Sequence, residues 1–211
     1  KDCPGNIIDT SCMIRVAVPG IIKYGSLSLN EILYDPRDGG SDFIELVNPG
    51  EAAVDLKGIR ISETTFEDSL SGSGAVILTD QHLLLFPGEV IAFSRNVDTE
   101  RRQYRSADKH RLFKCLGLPD FNTGEGGVRL LGPVGESLGW SRYSDSWHYP
   151  LLRDTKGISL ERLEYSESAE SSSSWHSAAG SAGYATPGSK NSQQIEGDAG
   201  DGEMQILPKV I

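Results

Sequence analysis

The side chains of this chain that have the means to do chemistry fall into a few sets. Glu31, Glu45 and Glu161 each sit inside a short run of apolar residues, at 29–33, 43–47 and 158–163. A carboxylate facing inward from such a run needs a partner. Two carboxylates placed across a bond also suffice for glycoside hydrolysis by acid and base, although no aromatic subsite pattern surrounds these three. Arg162 follows Glu161 directly, so on a strand the two face opposite sides. The simplest expectation is a structural ion pair of Arg162 with Glu31 or Glu45.

The histidines form a second set. Trp147-His148 and Trp175-His176 repeat one dipeptide, and two imidazoles that met in space could bind a metal or move protons. The plainer reading makes both tryptophans loop anchors with each histidine hydrogen-bonded nearby. A third set is Asp35, Asp38 and Asp42 in a tight loop, which has the oxygen atoms of a weak calcium site. Arg37 inside the loop, the lack of a closing Glu at EF-hand spacing and the Asp38-Gly39 turn argue instead for an ordinary turn. The serines show no G-x-S-x-G elbow. Gly124-Glu125-Gly126-Gly127 lacks the Lys-Ser/Thr of a phosphate loop. Cys3 and Cys12 could pair in an oxidising compartment, Cys115 reads as a buried thiol, and no zinc-ligand spacing exists. No catalytic residue and no cofactor is expected.

The elements that must position these residues are short strands. Apolar runs at 27–34, 42–48, 54–56, 59–62, 75–79, 82–86, 89–94, 127–131, 137–143 and 158–163 alternate with turns. Asp38-Gly39-Gly40, Asn48-Pro49-Gly50, Pro87-Gly88, Gly132-Pro133 and Lys156-Gly157 supply the turns. Residues 13–18 read as a further strand, and 97–106 as one short helix with Asp98 or Thr99 as its N-cap. The pattern predicts an all-β sandwich with at most one short helix. The Ser- and Glu-rich stretch after 164 would pass for a linker. Trp175, His176 and Tyr184 within it instead predict aromatic anchoring onto the core, alongside Trp147 and His148.

Charge narrows the partners. The net charge of −10, from 30 acidic and 20 basic residues, opposes nucleic-acid binding, which depends on cations neutralising phosphates. The one basic cluster, Arg101, Arg102, Arg105, Lys109, His110, Arg111 and Lys114, is interrupted by Asp108. No apolar run is long enough to insert into a membrane.

Several pieces, in order, resemble the lamin tail domains of bacterial secreted and cell-surface proteins. Leu29-Asn30-Glu31-Ile32-Leu33 and Phe43-Ile44-Glu45-Leu46-Val47-Asn48 resemble that family's opening strands. Val54-Asp55-Leu56-Lys57-Gly58, Leu85-Phe86-Pro87-Gly88-Glu89 and Gly127-Val128-Arg129-Leu130-Leu131 follow in its order. Ser146-Trp147-His148-Tyr149-Pro150, Gly157-Ile158-Ser159-Leu160-Glu161-Arg162, Trp175-His176-Ser177 and Gly183-Tyr184-Ala185-Thr186-Pro187-Gly188 are similar to its ending.

The resemblance implies an immunoglobulin-like sandwich over 26–193. The remnant of a preceding Ig-like domain plus a linker is expected at 1–25, and an acidic linker with the start of a following domain at 194–211. It also implies a non-catalytic structural or interaction module of a larger exported protein, secreted or at the cell surface. Its partners would be neighbouring domains of the same polypeptide, or a surface protein or glycan. Two alternatives stay open. One is a hydrolytic enzyme using the strand carboxylates or the two Trp-His histidines. The other is a carbohydrate-binding module, which needs an exposed aromatic row such as Trp140, Tyr143, Trp147 and Tyr149.

Overall fold

The computed structural model describes residues 15–64, 74–165 and 167–195. Its strands are β1 (Ser28–Leu33), β2 (Phe43–Val47), β3 (Val54–Asp55), β4 (Arg60–Thr64), β5 (Val76–Ile77), β6 (Leu84–Leu85) and β7 (Val90–Ser94). After the α-helix α1 (Val97–Gln103) come β8 (Leu112–Lys114), β9 (Glu125–Leu131), β10 (Ser137–Ser144), β11 (Leu160–Arg162) and β12 (Trp175–Ser177). They form a six-stranded sheet in the order β12-β11-β1-β2-β7-β8, a four-stranded sheet in the order β10-β9-β4-β5, and a small β3-β6 pair. The protein is an all-β sandwich, with 9% of residues helical.

Alternation along the strands builds the layers. Ile32, Ile44, Leu46 and Phe93 of the larger sheet meet Ile61, Val128, Leu130 and Tyr143 of the smaller one in a single core. The other face of the larger sheet is covered as well. Leu33 and Phe43 lie there in a second apolar cluster with Tyr104, just after α1, and Ala185. This second cover explains why β2 is buried at every position.

The expected strands between 27 and 163 form, with boundaries shifted by a residue or two. Two more strands appear that alternation did not signal. β8 is short and pairs in parallel with β7 after the α1 crossover, and β12 lies in the Ser-rich stretch. Residues 15–18 are not a strand. Cys3, Cys12, the rest of the expected strand at 13–18 and the acidic and apolar end at 196–211 lie outside the described residues.

The helix cap also differs from expectation. Asn96, at φ −131° and ψ 72°, accepts the Thr99 N–H through its side chain at 3.3 Å. Asp98 and Thr99 are already inside the first turn, where Asp98 and Glu100 suit the helix dipole. Asn96→Ala is expected to cost about 1 kcal/mol, seen as a lower urea midpoint with an unchanged slope.

Candidate functional site

Strand register brings the three glutamates together. Glu31 stands opposite Glu45 on β2 and opposite Glu161 on β11, so three carboxylates lie abreast on the covered face of the larger sheet. Ala92 and His176 extend the row at its two ends. All three glutamates are 0% exposed. A β-bulge between Leu29 and Glu31 turns Asn30 toward the same group.

Arg162 does not belong to this row. It is fully buried, and its parity on β11 points it toward Trp175, whose ring lies 5.7 Å from the guanidinium carbon. The guanidinium donates to Ser28 Oγ (3.0 Å) and to the carbonyls of Leu29, Glu164 (2.9 Å) and Glu167 (2.6 Å). The expected pair with Glu31 or Glu45 is therefore replaced by a clamp on the backbone. A residue beside Glu161 cannot reach carboxylates that share Glu161's face.

The partners of the row come from a strap, residues 184–193. Glu45 accepts from the Asn30 amide (2.6 Å) and from the Gly188 N–H (2.6 Å). Glu31 accepts from the Ser159 hydroxyl (2.5 Å) and the Thr186 N–H (2.8 Å) through Oε1. Glu161 accepts from Ser192 Oγ (2.8 Å) and the Gln193 N–H (3.1 Å) through Oε2. Asn191 closes the group by pairing its amide reciprocally with that of Asn30 and donating to Arg162 O.

One hydroxyl fixes the protonation. Thr186 Oγ1 lies 2.7 Å from Glu161 Oε1 and 3.1 Å from Glu31 Oε2. It has a single proton to give. If that proton goes to Glu161, the contact with Glu31 is a hydrogen bond only when Glu31 is protonated and donates through Oε2. The electrostatics agree. Burial, then the neighbouring Glu161 charge, push Glu31 up to about 8. Burial and Glu31 hold Glu45 well above the usual carboxylate range. The row survives without a cation because part of it is neutral.

The strap is shaped for this task. Tyr184 adopts φ 77°, a left-handed conformation that an aromatic residue rarely takes. It is fixed by its N–H on Ala179 O (3.1 Å) and by its carbonyl, which receives the Ser159 N–H (3.0 Å). The turn delivers Thr186 to the row. Gly188 has φ +81°, and a Cβ there would come within 2.9 Å of Arg111 Cβ and 3.0 Å of Asp108 O. Only glycine brings its N–H to Glu45 at this point.

The other sequence-predicted residues fall elsewhere. Trp175 is buried and donates from Nε1 to Ala169 O (3.0 Å), and Trp147 packs half-buried on the core. Tyr184 anchors through its backbone, while its ring stays at the surface over Gly180. His148 and His176 both come to Ser177. The Tyr149 N–H donates to Ser177 Oγ, which also pairs with His148 Nδ1, each at 2.8 Å. Burial lowers His148 to about 4, so it is neutral. The His176 ring lies 2.9 Å from Ser177 O.

The aspartate loop does not assemble a cation site. Asp38 pairs with Lys156 (2.6 Å), and Asp42 turns inward to accept the Phe121 N–H (2.7 Å). Among the described residues no group of three or more His, Cys, Asp and Glu is placed to hold a metal ion. The aromatic row proposed for sugars is dispersed too. Tyr143 is wholly buried and stacks on Tyr34, whereas Tyr149 is exposed. In the basic cluster, Arg111 is held by Glu89, and Arg101 and Arg105 reach backbone carbonyls.

Sequence reasoning missed Asn30, Ser159, Thr186, Gly188 and Asn191 as partners of the carboxylates. The signal available was Trp175, His176 and Tyr184 in the stretch after 164, which argues docking without naming what it docks on. Comparison of the chain with family models and with characterised proteins finds no match.

Two outcomes follow. A carboxyl raised in the folded state keeps a proton that the unfolded chain releases. Its stabilisation is full below about 4.5 and is lost as pH rises through about 8 for Glu31. His148 acts oppositely, but only between about 4 and its ordinary 6.5. Urea unfolding should therefore show stability falling from pH 6.5 to about 8. Glu31→Gln, whose amide can donate to Thr186 in place of the proton, should flatten that slope and gain about 1 kcal/mol or more at the alkaline end. Arg162→Met should cost ~1–3 kcal/mol by leaving buried carbonyls unpaired. Faster amide exchange at residues 164–167 is the accompanying sign.

Proposed function

We propose that the chain is a non-catalytic module of the lamin-tail type, with an immunoglobulin-like sandwich, serving as a spacer or adhesive domain in a larger exported protein. The observation that carries this reading is the fate of the carboxylates. The three that converge are fully buried, and each of their oxygens is bonded to the chain's own groups. A general acid or base has to reach the proton it transfers. These carboxylates fasten the strap to the sheet instead, and a fastened, doubly covered sheet suits a domain that bears its neighbours. The ordered resemblance between 29 and 191 adds the exported setting.

A second reading rests on the Ser177–His148 pair. It adjoins a cleft of 310 Å³ lined by Tyr149, Leu152, His176, Ser177, Tyr184 and Gln193. A serine hydroxyl hydrogen-bonded to an imidazole has the arrangement of a hydrolytic nucleophile. Against it, Ser177 is 3% exposed and His148 is too weak a base for work near neutral pH.

A screen of esterase, phosphatase, nuclease and glycosidase substrates, with a fluorophosphonate probe for activated serine, separates the readings. The module gives no turnover above buffer and no labelling. Turnover lost on Glu45→Gln, or labelling lost on Ser177→Ala, would overturn it.

A further inference from the structure

The outer face of the four-stranded sheet is built differently from the rest of the surface. Ser62, Arg129 and Trp140 stand abreast on β4, β9 and β10, in direct cross-strand register. Arg60 lies two residues before Ser62, and Arg142 two residues after Trp140, on the same face. The alternate residues, Ile61, Val128, Leu130 and Tyr143, point into the core, so this row points away from it. The Arg142 guanidinium carbon is 5.9 Å from the Trp140 ring. Gly127 makes room for the indole, because a Cβ there would lie 3.1 Å from its Nε1.

Several arginines elsewhere in the chain are matched. Arg95 holds Asp120, Arg111 holds Glu89, and Arg37 and Arg162 hold backbone carbonyls. Arg60 and Arg129 have no hydrogen bond or ion pair among the described residues. Their Nε atoms are shut off from water without an acceptor, as are Trp140 Nε1 and Ser62 Oγ. Burying donors without acceptors is unfavourable, and the outer guanidinium nitrogens of Arg60 and Arg129, which are not shut off in this way, are the donors a ligand can reach. Guanidinium and indole N–H groups can only donate, so what this half-buried face lacks is acceptors, and charged ones. Glu63 faces the other way and accepts the Asn122 N–H. On β9 the carboxylate that shares the parity of Arg129 is Glu125, at the far end of the strand.

We infer that this face binds an acidic saccharide, with a sugar ring against Trp140 and a carboxylate or sulfate on Arg129 and Arg60. A sugar ring offers a C–H face that an indole covers and oxygens that accept from its surroundings. Its anionic group suits the planar fork of an arginine. The observations favour it over a nucleic acid. A few cations on a chain of net charge −10 cannot neutralise a closely charged phosphate backbone, whereas a saccharide carries its charges ring by ring. This gives a ligand class to the interaction module proposed above and rests on that reading.

Calorimetric titration of the whole chain tests it. The probes are an oligogalacturonate for the carboxylate, a chondroitin sulfate oligosaccharide for the sulfate, maltohexaose as the neutral control and a thymidine oligonucleotide as the polyanion. At least one acidic saccharide should bind, maltohexaose should not, and Arg129→Gln should weaken binding by about tenfold or more. Arg60→Gln provides a second variant should the first melt at a lower temperature. Silence in both acidic arms, equal binding of maltohexaose, tighter binding of the oligonucleotide, or wild-type affinity in both variants would overturn the site while leaving the non-catalytic reading intact. Shortened saccharide products in the cell would overturn that reading and leave the site standing.

Discussion

Three carboxylates side by side in a dry interior are the constraint around which this protein is arranged. Like charges so close cannot all ionise away from water, and Arg162, the nearby buried cation, faces the other side of its strand. The solution combines proton retention at Glu31 with donors drawn from every side: Asn30 from a bulge, Ser159 from the approach to β11, and Thr186, Gly188, Ser192 and Gln193 from the strap. The left-handed Tyr184 and the closely confined Gly188 follow from the same need, since each places a strap N–H or hydroxyl over one member of the row. The row also settles where the C-terminal part of the chain lies. A segment rich in Ser and Gly, with little apolar surface of its own, is held because it carries the donors the sheet requires.

The sandwich was largely legible because its cause is local. Runs such as Phe43-Ile44-Glu45-Leu46-Val47 state their own burial, and turns such as Asn48-Pro49-Gly50 mark where they stop. The candidate site was legible in part. Glu31, Glu45 and Glu161 declared themselves by being charged in apolar company. What strand periodicity cannot supply is register and neighbour order. Nothing in the separate runs says that β1 lies between β2 and β11, which is what aligns the three. Without that order an ion pair with Arg162 looked simplest. With it, parity forbids the pair. β12 was hidden for a related reason, because Trp175-His176-Ser177 pairs with β11 although its surroundings read as linker. β8 was hidden because a three-residue strand in parallel beside β7 needs no alternation of its own.

The two sheets divide the labour. The larger one is covered on both faces, by the core and by the strap with the second apolar cluster, so its carboxylates are matched from within. The smaller one packs one face on the core. Among the described residues, its Arg60, Arg129 and Trp140 keep N–H donors without an acceptor. A scaffold sealed on one side and electrostatically unfinished on the other is well suited to bearing a partner without changing shape.

The strap also has a consequence for the order of events in folding. Its acceptors do not exist as a group until β2, β1 and β11 are in register, and its donors are up to 161 positions away in sequence from the residues they meet. Contacts between such distant segments carry the largest loop-closure cost and form late. Before the strap docks, the row is open to water and its carboxylates are ionised at neutral pH. Docking therefore does more than close the molecule: it draws a proton out of solution, so the last stage of assembly is coupled to proton uptake.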